Sequence, residues 1–368
     1  MAKLNEYNGH YCESEYESAF IGFLEQEGWQ YNSGNSVDRN SRRDVLIKDD
    51  FLSFLKKTQP YLEEADLENI YNKIKLIGGE SDFATLHKTY GLMTDGTNFV
   101  NAEQKAYRIF FIDFDNPSNN LFKVVNQLSI EYSNNGKNEY RRPDVVLYVN
   151  GLPLCIVELK NPVDDKATIY DAWEQINIRY WRDVPHLLHY CPLACISDGV
   201  KTRLGTVKAP YEHFYAWRRV NDEDKVSTMP FEETKTMVKG VFSPTRFLEI
   251  FRDYIYFKDS QYDNDELEIV CRYPQFFATR LLKKSIIKSI KERTGKGGTY
   301  FGATGCGKTY TMAFLARQLS LRCSNIPEIG SPTIVMIVDR DDLQNQGAKL
   351  FTNSTEFLNL GAVEIVLS

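Results

Sequence analysis

The chain has 368 residues, of which 42% are hydrophobic and 26% are charged, and its formal net charge is −6. This length predicts two or more domains with buried cores. The acidic net charge argues against nucleic-acid binding over the whole surface but is compatible with DNA binding in a local basic groove. There is no apolar run of about 18 residues and no apolar signal core near the start, so we expect a cytoplasmic protein with no membrane partner.

Residues 1–220 predict helices around a small mixed sheet, which is an α/β arrangement. An amphipathic helix over residues 15–27 should stop at Gly28, and further helical stretches reach about Tyr90. Strand-like runs then follow at Tyr107–Phe114, Phe122–Tyr132, Asp144–Val149, Leu154–Leu159 and Leu193–Ser197. A helix over Lys166–Trp181 separates the last two runs.

Residues 221–268 are polar and acidic around one amphipathic helix, Ser243–Phe257, and predict a linker. Residues 269–368 predict the start of a parallel RecA-like lobe, in which strands and helices alternate. The expected elements are a helix at Gln275–Arg293, a strand ending at Phe301, a helix at Thr309–Leu319 and a strand at Thr333–Val338. Because the chain ends inside an apolar run, we expect a truncated lobe that does not work as a motor alone.

The clearest acidic pattern in residues 1–220 is Pro-Asp144 followed, after thirteen intervening residues, by Glu158-Leu-Lys160. Metal-dependent nucleases use acidic oxygens to hold Mg²⁺ beside the scissile phosphate and a cation to orient the attacking water. Glu158 and Lys160 are two apart on a strand and therefore point to one face. Both charged residues interrupt a very apolar strand. Burying a charged group there costs free energy unless it is paired or binds a metal ion, so a functional role is indicated.

The dipeptide Asn150-Gly151 between these groups predicts a hairpin. A two-residue loop would place Asp144 opposite Val157 and leave Glu158 on the other face. We therefore predict a three-residue loop with Gly151 in the left-handed region, or a bulge, at residues 149–152. Pro153, which cannot donate to a strand ladder, favours an irregular turn.

A phosphate-binding loop, G-x-x-x-x-G-K-T, lies at residues 302–309, between a predicted strand and a predicted helix. Its backbone amides and the helix N-terminus suit the phosphates of ATP, Lys308 should reach the β- and γ-phosphates, and the Thr309 hydroxyl should bind Mg²⁺. The predicted nucleotide-binding residues of the loop are Gly302, Thr304, Gly305, Cys306, Gly307, Lys308 and Thr309. Gln275, about thirty residues upstream, resembles the adenine-reading glutamine of superfamily 2 helicases.

Asp339, thirty-one residues after Lys308, has two interpretations. It could be a Walker B acid, but the continuation Asp339-Arg340-Asp-Asp-Leu343 resembles motif Ia of restriction-type translocases, which we favour. Cys191 and Cys195 could form a zinc half-site, but no second pair lies at finger spacing, and we favour structural cysteines.

A P-D…E-x-K nuclease ahead of a superfamily 2 motor resembles the R (restriction) subunit of type I restriction enzymes. The resemblance makes Glu17 a further metal ligand, assigns Asp144, Glu158 and Lys160 to the nuclease triad, and matches Gln175 to the catalytic glutamine of the family's Q-x-x-x-Y motif. Here Arg179 holds the fourth place and Tyr180 the fifth. Because only i+4 shares a face on an α-helix, either Arg179 acts or the helix is irregular.

The resemblance implies an ATP-dependent type I site-specific deoxyribonuclease that cleaves double-stranded DNA with Mg²⁺. Its implied partners are methyltransferase (M) and specificity (S) subunits, which read the site while the R subunit pulls DNA. Basic residues near the site would contact phosphates without reading bases, among them Lys160, Arg141, Arg142, Arg179 and Arg182.

Three other functions remain open from the sequence alone. A stand-alone DNA repair helicase-nuclease would contain the same motifs but would need no methyltransferase. A non-catalytic DNA-binding module is disfavoured by the intact Asp144, Glu158 and Lys160. A plain P-loop ATPase with an unrelated first domain is disfavoured by the Glu-Leu-Lys strand.

Overall fold

A computed structural model describes residues 13–79, 81–160, 168–226, 232–258, 266–323, 326–335, 337 and 355–358. The chain divides into two compact units: unit 1 is Met1–Val220 with Lys225–Leu248, and unit 2 is Asn221–Asp224 with Glu249–Ser368. The predicted linker, residues 221–268, is therefore shared between the units and contains regular elements. In the part of the chain that is described, no helix has the length and apolar character needed to cross a membrane.

Helices and strands are mixed along the chain. The α-helices are α1 (Glu13–Gln26), α2 (Lys48–Thr58), α3 (Glu64–Lys75), α4 (Asp82–Asp95), α5 (Ile169–Glu174), α6 (Trp181–Asp183), α7 (Pro185–Leu188), α8 (Glu232–Met237), α9 (Pro244–Asp253), α10 (Tyr273–Glu292), α11 (Lys308–Arg322) and α12 (Thr355–Leu358). The strands are β1 (Gln30–Ser33), β2 (Thr97–Val100), β3 (Ala106–Ile109), β4 (Phe122–Asn126), β5 (Ile130–Asn134), β6 (Lys137–Arg141), β7 (Val145–Val149), β8 (Leu152–Leu159), β9 (Leu193–Ser197), β10 (Thr202–Thr206), β11 (Tyr215–Ala216), β12 (Ile255–Phe257) and β13 (Glu268–Val270). Two π-helical segments, Gln175–Tyr180 and Val238–Phe242, complete the set with 3-10 turns at Pro117–Asn119 and Tyr211–His213.

Unit 1 is organised by a seven-stranded mixed sheet in the order β1-β4-β7-β8-β9-β10-β11. The pairs β1–β4 and β8–β9 are parallel, and the other neighbours are antiparallel. Every residue of the central strands β7, β8 and β9 is buried, as expected for strands covered on both faces. This sheet with its flanking helices confirms the predicted α/β class.

The hairpin β7–β8 turns at Asn150-Gly151, as the sequence predicts. Both residues have positive φ, 51° and 76°, which is the requirement of a two-residue type I′ turn. The turn is buried: the Asn150 amide donates to the Phe111 carbonyl oxygen (3.0 Å) and accepts from the Leu121 N–H (2.8 Å). A Cβ on Gly151 would lie 2.2 Å from the Ile47 carbonyl oxygen, so only glycine fits.

One predicted strand and one predicted helix have different bounds in the structure from those that the sequence indicates. The single strand predicted at Phe122–Tyr132 is divided at Gln127, whose φ of 49° turns the chain out of β4 before the β5–β6 hairpin begins. The helix predicted to reach Phe257 ends at Asp253, and its last residues form β12 instead. Ile255 to Phe257 pair with β13, so strand pairing replaces the final turn of the helix.

Unit 2 contains the helices α10 and α11 and the β12–β13 hairpin. The residues up to Phe301 do not form the predicted strand. The described residues of the run Thr333–Val338, where a second strand was predicted, are not in a strand either. Phe301 is 95% exposed and Val335 is 76% exposed, so these apolar side chains are not buried against a sheet. A parallel strand requires paired neighbours, and the described residues of unit 2 supply none beside them.

Candidate active site

Asp144 and Glu158 face each other across the β7–β8 hairpin, and a bulge makes this possible. Val149 pairs with Leu152, so the loop has two residues and the predicted three-residue loop is wrong. The register then shifts between Leu147 and Tyr148, because Tyr148 pairs with Pro153 but Leu147 pairs with Cys155.

Leu154 is the extra residue of this bulge, which lies just beyond the predicted position at residues 149–152. From the bulge onward the register runs to Val145 opposite Val157, which brings Asp144 opposite Glu158. The predicted shared face of the two carboxylates is therefore formed, by a bulge in β8 with an ordinary two-residue turn.

The two carboxyl groups are buried and closely coupled. Glu158 is 0% exposed and Asp144 7% exposed. The Asp144 Oδ2 atom accepts from the Leu159 N–H (2.8 Å), and the Asp144 N–H donates to Glu158 Oε1 (3.4 Å). Burial, and next the charge of Asp144, raise the pKa of Glu158 well above its ordinary range, whereas Lys160 and Tyr180 act to lower it.

Gln175 and Tyr180 reach Glu158 together because the helix between them is a π-helix. Gln175 Nε2 donates to Glu158 Oε2 (2.7 Å), and the Tyr180 hydroxyl donates to Glu158 Oε1 (2.7 Å). A π-helix pairs i with i+5, so the five-residue spacing returns Tyr180 to the face of Gln175.

Of the two possibilities left open by the sequence, the helix is irregular and Tyr180 enters the site. Arg179 is half exposed and paired with Glu174 at 3.5 Å, and it lines a cleft together with Tyr180. Burial and the nearby Glu158 raise the pKa of Tyr180 well above its usual range, so this phenol keeps its proton and remains a hydrogen-bond donor.

Lys160 follows the last residue of β8 and lies against the same pair of side chains. Its Nζ atom donates to Gln175 Oε1 (2.9 Å) and lies 3.9 Å from Glu158 Oε2. The Lys160 side chain is 13% exposed. The predicted residues Glu158, Lys160 and Gln175 therefore form one connected hydrogen-bonded cluster with Asp144.

Glu17, on α1, is one amide group away from Asp144. Its carboxylate accepts from Asn126 Nδ2 and from Gln127 Nε2, both at 2.6 Å. Gln127 Nε2 also lies 3.2 Å from Asp144 Oδ1 and so bridges the two acids. Sequence reasoning missed Gln127, because its position depends on the left-handed backbone at the end of β4, which no local pattern indicates.

The acidic pair offers donor atoms that suit a divalent cation. Within the described residues, no group of three or more His, Cys, Asp or Glu side chains is arranged to hold a metal ion. Asp144 and Glu158 nevertheless supply carboxylate oxygens on one face, the donors that hard cations such as Mg²⁺ prefer. A buried carboxyl group whose pKa is raised by burial and by a neighbouring carboxylate is stabilised in its charged form by a cation, so the pair fits such an ion.

A cleft of about 680 Å³ opens beside this cluster, and Gln175, Tyr180 and Arg142 are among its lining residues. Two of the basic residues that were predicted to contact phosphates already form ion pairs with a carboxylate. Arg141 and Arg182 both contact Asp183, at 2.6 Å and 2.8 Å. The Arg142 side chain, in contrast, makes no hydrogen bond or ion pair with any residue that the structure describes.

The phosphate-binding loop in unit 2 has the backbone shape that its sequence predicts. Gly305 and Gly307 have φ of 77° and 79°, and α11 begins directly after Gly307. Lys308 Nζ donates to the carbonyl oxygens of Gly302 and Ala303, both at 3.0 Å. Successive amides at a helix N-terminus form a cradle for an anion.

The remaining members of this loop are Thr304, which is exposed, and Cys306 and Thr309, which are half-buried. Gln275 lies against the loop, with Nε2 donating to the Gly307 carbonyl oxygen (3.0 Å) and Oε1 accepting from the Arg272 N–H (2.8 Å). Both ends of its amide are therefore engaged with backbone groups, and its role as an adenine reader stays a prediction.

The structure describes the two cysteines that could have formed a zinc half-site, but not Asp339. Asp339 and the motif Ia resemblance lie outside the described residues. Cys191 and Cys195 are buried and free, and burial raises the pKa of each thiol. Raised thiol pKa values in the core suit structural cysteines, as the sequence favoured.

Comparison with known proteins gives two family matches. Residues 10–213 match the profile described as "Type I restriction enzyme R protein N terminus", and residues 274–362 match "SWI2/SNF2 ATPase". The chain is 28% identical over 359 residues to the type I restriction enzyme HindI endonuclease subunit of Haemophilus influenzae, covering 94% of this chain and 33% of that protein. It is also 28% identical over 381 residues to a protein of Methanocaldococcus jannaschii, provisionally named the type I restriction enzyme MjaIXP endonuclease subunit, covering 96% of this chain and 34% of that protein. The chain thus spans about a third of the length of these curated relatives.

Proposed function

Because this chain belongs to the family of type I restriction enzyme R proteins, through their N-terminal region, we propose that unit 1 is the DNA-cleaving part of a restriction subunit and that unit 2 begins its ATP-driven motor. The observation that carries the proposal is the single cluster formed by Asp144, Glu158, Lys160 and Gln175 beside an arginine-lined cleft. The substrate is double-stranded DNA, and the partners are methyltransferase and specificity subunits. The reaction is ATP-dependent cleavage of foreign unmethylated DNA.

In this proposal Asp144 and Glu158 hold a divalent cation, which we propose to be Mg²⁺, and Glu17 contributes through Gln127 or directly. When bound, the cation supplies Lewis-acid stabilisation of the charge that develops on the scissile phosphate. Lys160 lies where it can orient the attacking water or neutralise the phosphate, since its ammonium group is at the edge of the acidic pair. Gln175 positions Lys160 and Glu158 through one amide.

For unit 2, we propose that the loop at residues 302–309 binds ATP with Mg²⁺. Lys308 would exchange its bonds to the Gly302 and Ala303 carbonyl oxygens for the phosphates. Thr309 would bind the metal ion, as its place after the lysine predicts. The SWI2/SNF2 match supports an ATPase here.

The experiment compares plasmid cleavage by the complete restriction subunit, assembled with its methyltransferase and specificity partners, ATP and Mg²⁺, with cleavage by the Lys160→Ala variant. We expect cleavage to be lost while ATP hydrolysis persists, because Lys160 lies in unit 1 and the phosphate loop in unit 2. Lys201→Ala, an exposed lysine in the turn after β9, is the matched control. Unchanged cleavage by the Lys160→Ala variant would place the chemistry elsewhere. Efficient cleavage without the partner subunits would favour a stand-alone helicase-nuclease.

A further inference from the structure

A second hollow in unit 1, of about 210 Å³, is lined by arginines from two separate segments of the chain, Arg39, Arg42 and Arg142. Ser41, Asn35 and Ser129 are among its other lining residues, and none of the described residues that line it is acidic. We call this hollow the arginine pocket. Since a water molecule takes up about 30 Å³ in the liquid, the pocket has room for several waters or for one phosphate group.

The three arginines have different partners. Arg39 is held in the side of the pocket by two hydrogen bonds: its Nη1 donates to the Asp44 carbonyl oxygen and its Nη2 to the Ser129 carbonyl oxygen, both at 3.0 Å. Arg42 lies over the ring of Tyr140 at 5.3 Å. Within the described part of the chain, neither Arg42 nor Arg142 has a carboxylate partner. Two exposed guanidinium groups without a carboxylate partner therefore line one hollow, where a bound anion could contact both.

Ser129 adds an independent observation. Its hydroxyl oxygen is buried and has no hydrogen-bond partner among the described residues, although the residue lines the pocket. An unsatisfied buried hydroxyl costs about 1–3 kcal/mol, so such groups generally have a partner. An anionic oxygen in the pocket would accept this hydroxyl's hydrogen bond and two guanidinium forks.

Arg142 connects the arginine pocket with the active site. It lines both the pocket and the cleft beside Gln175 and Tyr180, and it precedes Asp144 by two residues. We propose that the arginine pocket binds a backbone phosphate of duplex DNA next to the phosphate that is cut. This inference rests on the proposed nuclease function. It assigns Arg42 and Ser129 to DNA binding, a role that the sequence pattern did not indicate.

The chemistry of the pocket favours this ligand. Guanidinium groups bind phosphate oxygens in a bidentate manner, and contacts to backbone phosphates fix the register of DNA without reading its bases. A nuclease domain that does not read sequence itself needs such a register, so that the scissile phosphate enters the cleft. Free inorganic phosphate presents the same oxygens and is the alternative source that the experiment must separate.

The test measures binding of a duplex of about 20 base pairs to the full chain by fluorescence anisotropy in EDTA, from 50 to 200 mM salt. Arg42→Ala/Arg142→Ala should weaken binding at least about tenfold, as expected for lost charge-assisted hydrogen bonds. The slope of log affinity against log salt should fall by about 0.9, since the pocket holds one phosphate and each phosphate contact contributes about 0.9. Arg43→Ala is the matched control, because Arg43 is 57% exposed and already paired with Glu131 at 3.2 Å.

A double variant that keeps the wild-type affinity and slope would overturn the proposal, as would an equal loss in Arg43→Ala. Arg42→Lys/Arg142→Lys should keep the salt slope but recover only part of the affinity, because lysine preserves charge without the bidentate fork. For the free ion, thermal unfolding is followed with inorganic phosphate alone. A rise of Tm that the double variant abolishes, with DNA binding unchanged, would assign the pocket to free phosphate and overturn the DNA assignment.

Failure of this inference is distinguishable from failure of the nuclease proposal. DNA binding is measured in EDTA, where no metal-dependent cleavage takes place, and it does not depend on Lys160. If Lys160→Ala cleaves DNA normally, the active-site assignment is wrong, and the arginine pocket is still judged by its salt slope. If Lys160→Ala abolishes cleavage and the double variant binds DNA normally, only the pocket is wrong.

Discussion

Replacing Tyr180 by phenylalanine removes one hydroxyl group from the buried cluster and leaves the ring in place. That hydroxyl donates to Glu158 Oε1 and accepts from Gln175 Nε2, each at 2.7 Å, and Tyr180 is 1% exposed. Among the residues that the structure describes, the only other donor to that carboxylate oxygen is the Asp144 N–H at 3.4 Å. The variant therefore leaves a buried acceptor poorly satisfied, and we expect a loss of about 2 kcal/mol in the free energy of unfolding.

For a domain of this size, each kcal/mol shifts Tm by about 2–4 °C, so Tyr180→Phe should lower the Tm of unit 1 by about 4–8 °C. The variant should also raise the pKa of Glu158 further, because it removes a hydrogen bond that lowers this pKa. The acid limb of the pH profile for metal-dependent cleavage should therefore move to higher pH.

Tyr190→Phe is the control for this experiment. The Tyr190 hydroxyl is also buried and donates to the Ile74 carbonyl oxygen at 2.8 Å, away from the acidic pair. We expect a loss of about 1 kcal/mol and an unchanged pH profile of cleavage. An identical pH profile for wild type and Tyr180→Phe would refute the reasoning, because the π-helix would then hold Tyr180 at Glu158 without effect on its protonation.

Two further predictions concern protonation and the hairpin turn. In EDTA, the free energy of unfolding should fall as pH rises from the ordinary carboxyl pKa toward the raised pKa of Glu158, since only the folded state still binds that proton; the slope reaches at most about 1.4 kcal/mol per pH unit, and denaturant titrations should find it absent in Glu158→Gln. Gly136→Ala, at a left-handed glycine with open space around it, should cost about 1–2 kcal/mol. Gly151→Ala should cost at least about 1 kcal/mol more because its Cβ meets the Ile47 carbonyl oxygen; equal losses in thermal unfolding would contradict this.

The residues of the acidic cluster could be predicted from the sequence, but two details of backbone geometry could not. The spacing of Asp144 and Glu158 required a parity change, and the structure makes it with a bulge at Leu154. A bulge depends on the pairing of two strands, so a one-dimensional pattern can state the need for it without its position. Tyr180 was uncertain for the same reason, because the π-helix that brings it to Gln175 is visible only in the hydrogen bonding.

Unit 2 shows the opposite case, in which a local pattern predicted strands that its described residues do not form. The apolar runs ending at Phe301 and beginning at Thr333 have the composition of buried parallel strands, yet Ile334 is 43% exposed and Val335 is 76% exposed. Composition indicates that a segment can enter a sheet, whereas the strand itself exists only when neighbours pair with it. The phosphate loop, in contrast, turns without strand partners among the described residues, with Gly305 and Gly307 in the left-handed region.

The buried tip of the β7–β8 hairpin has a consequence for how the protein folds. The strands of a hairpin are close in sequence and can meet early, but the Asn150 side chain reaches its partners only when the segments around Phe111 and Leu121 have docked. Before that step the amide must stay hydrated, which keeps the tip open and the strands exposed. Asp144 and Glu158 lie on the same two strands, and their desolvation opposes closure as well. We therefore expect this hairpin to be completed late and cooperatively, with the acidic pair becoming buried in the same transition that seals the turn.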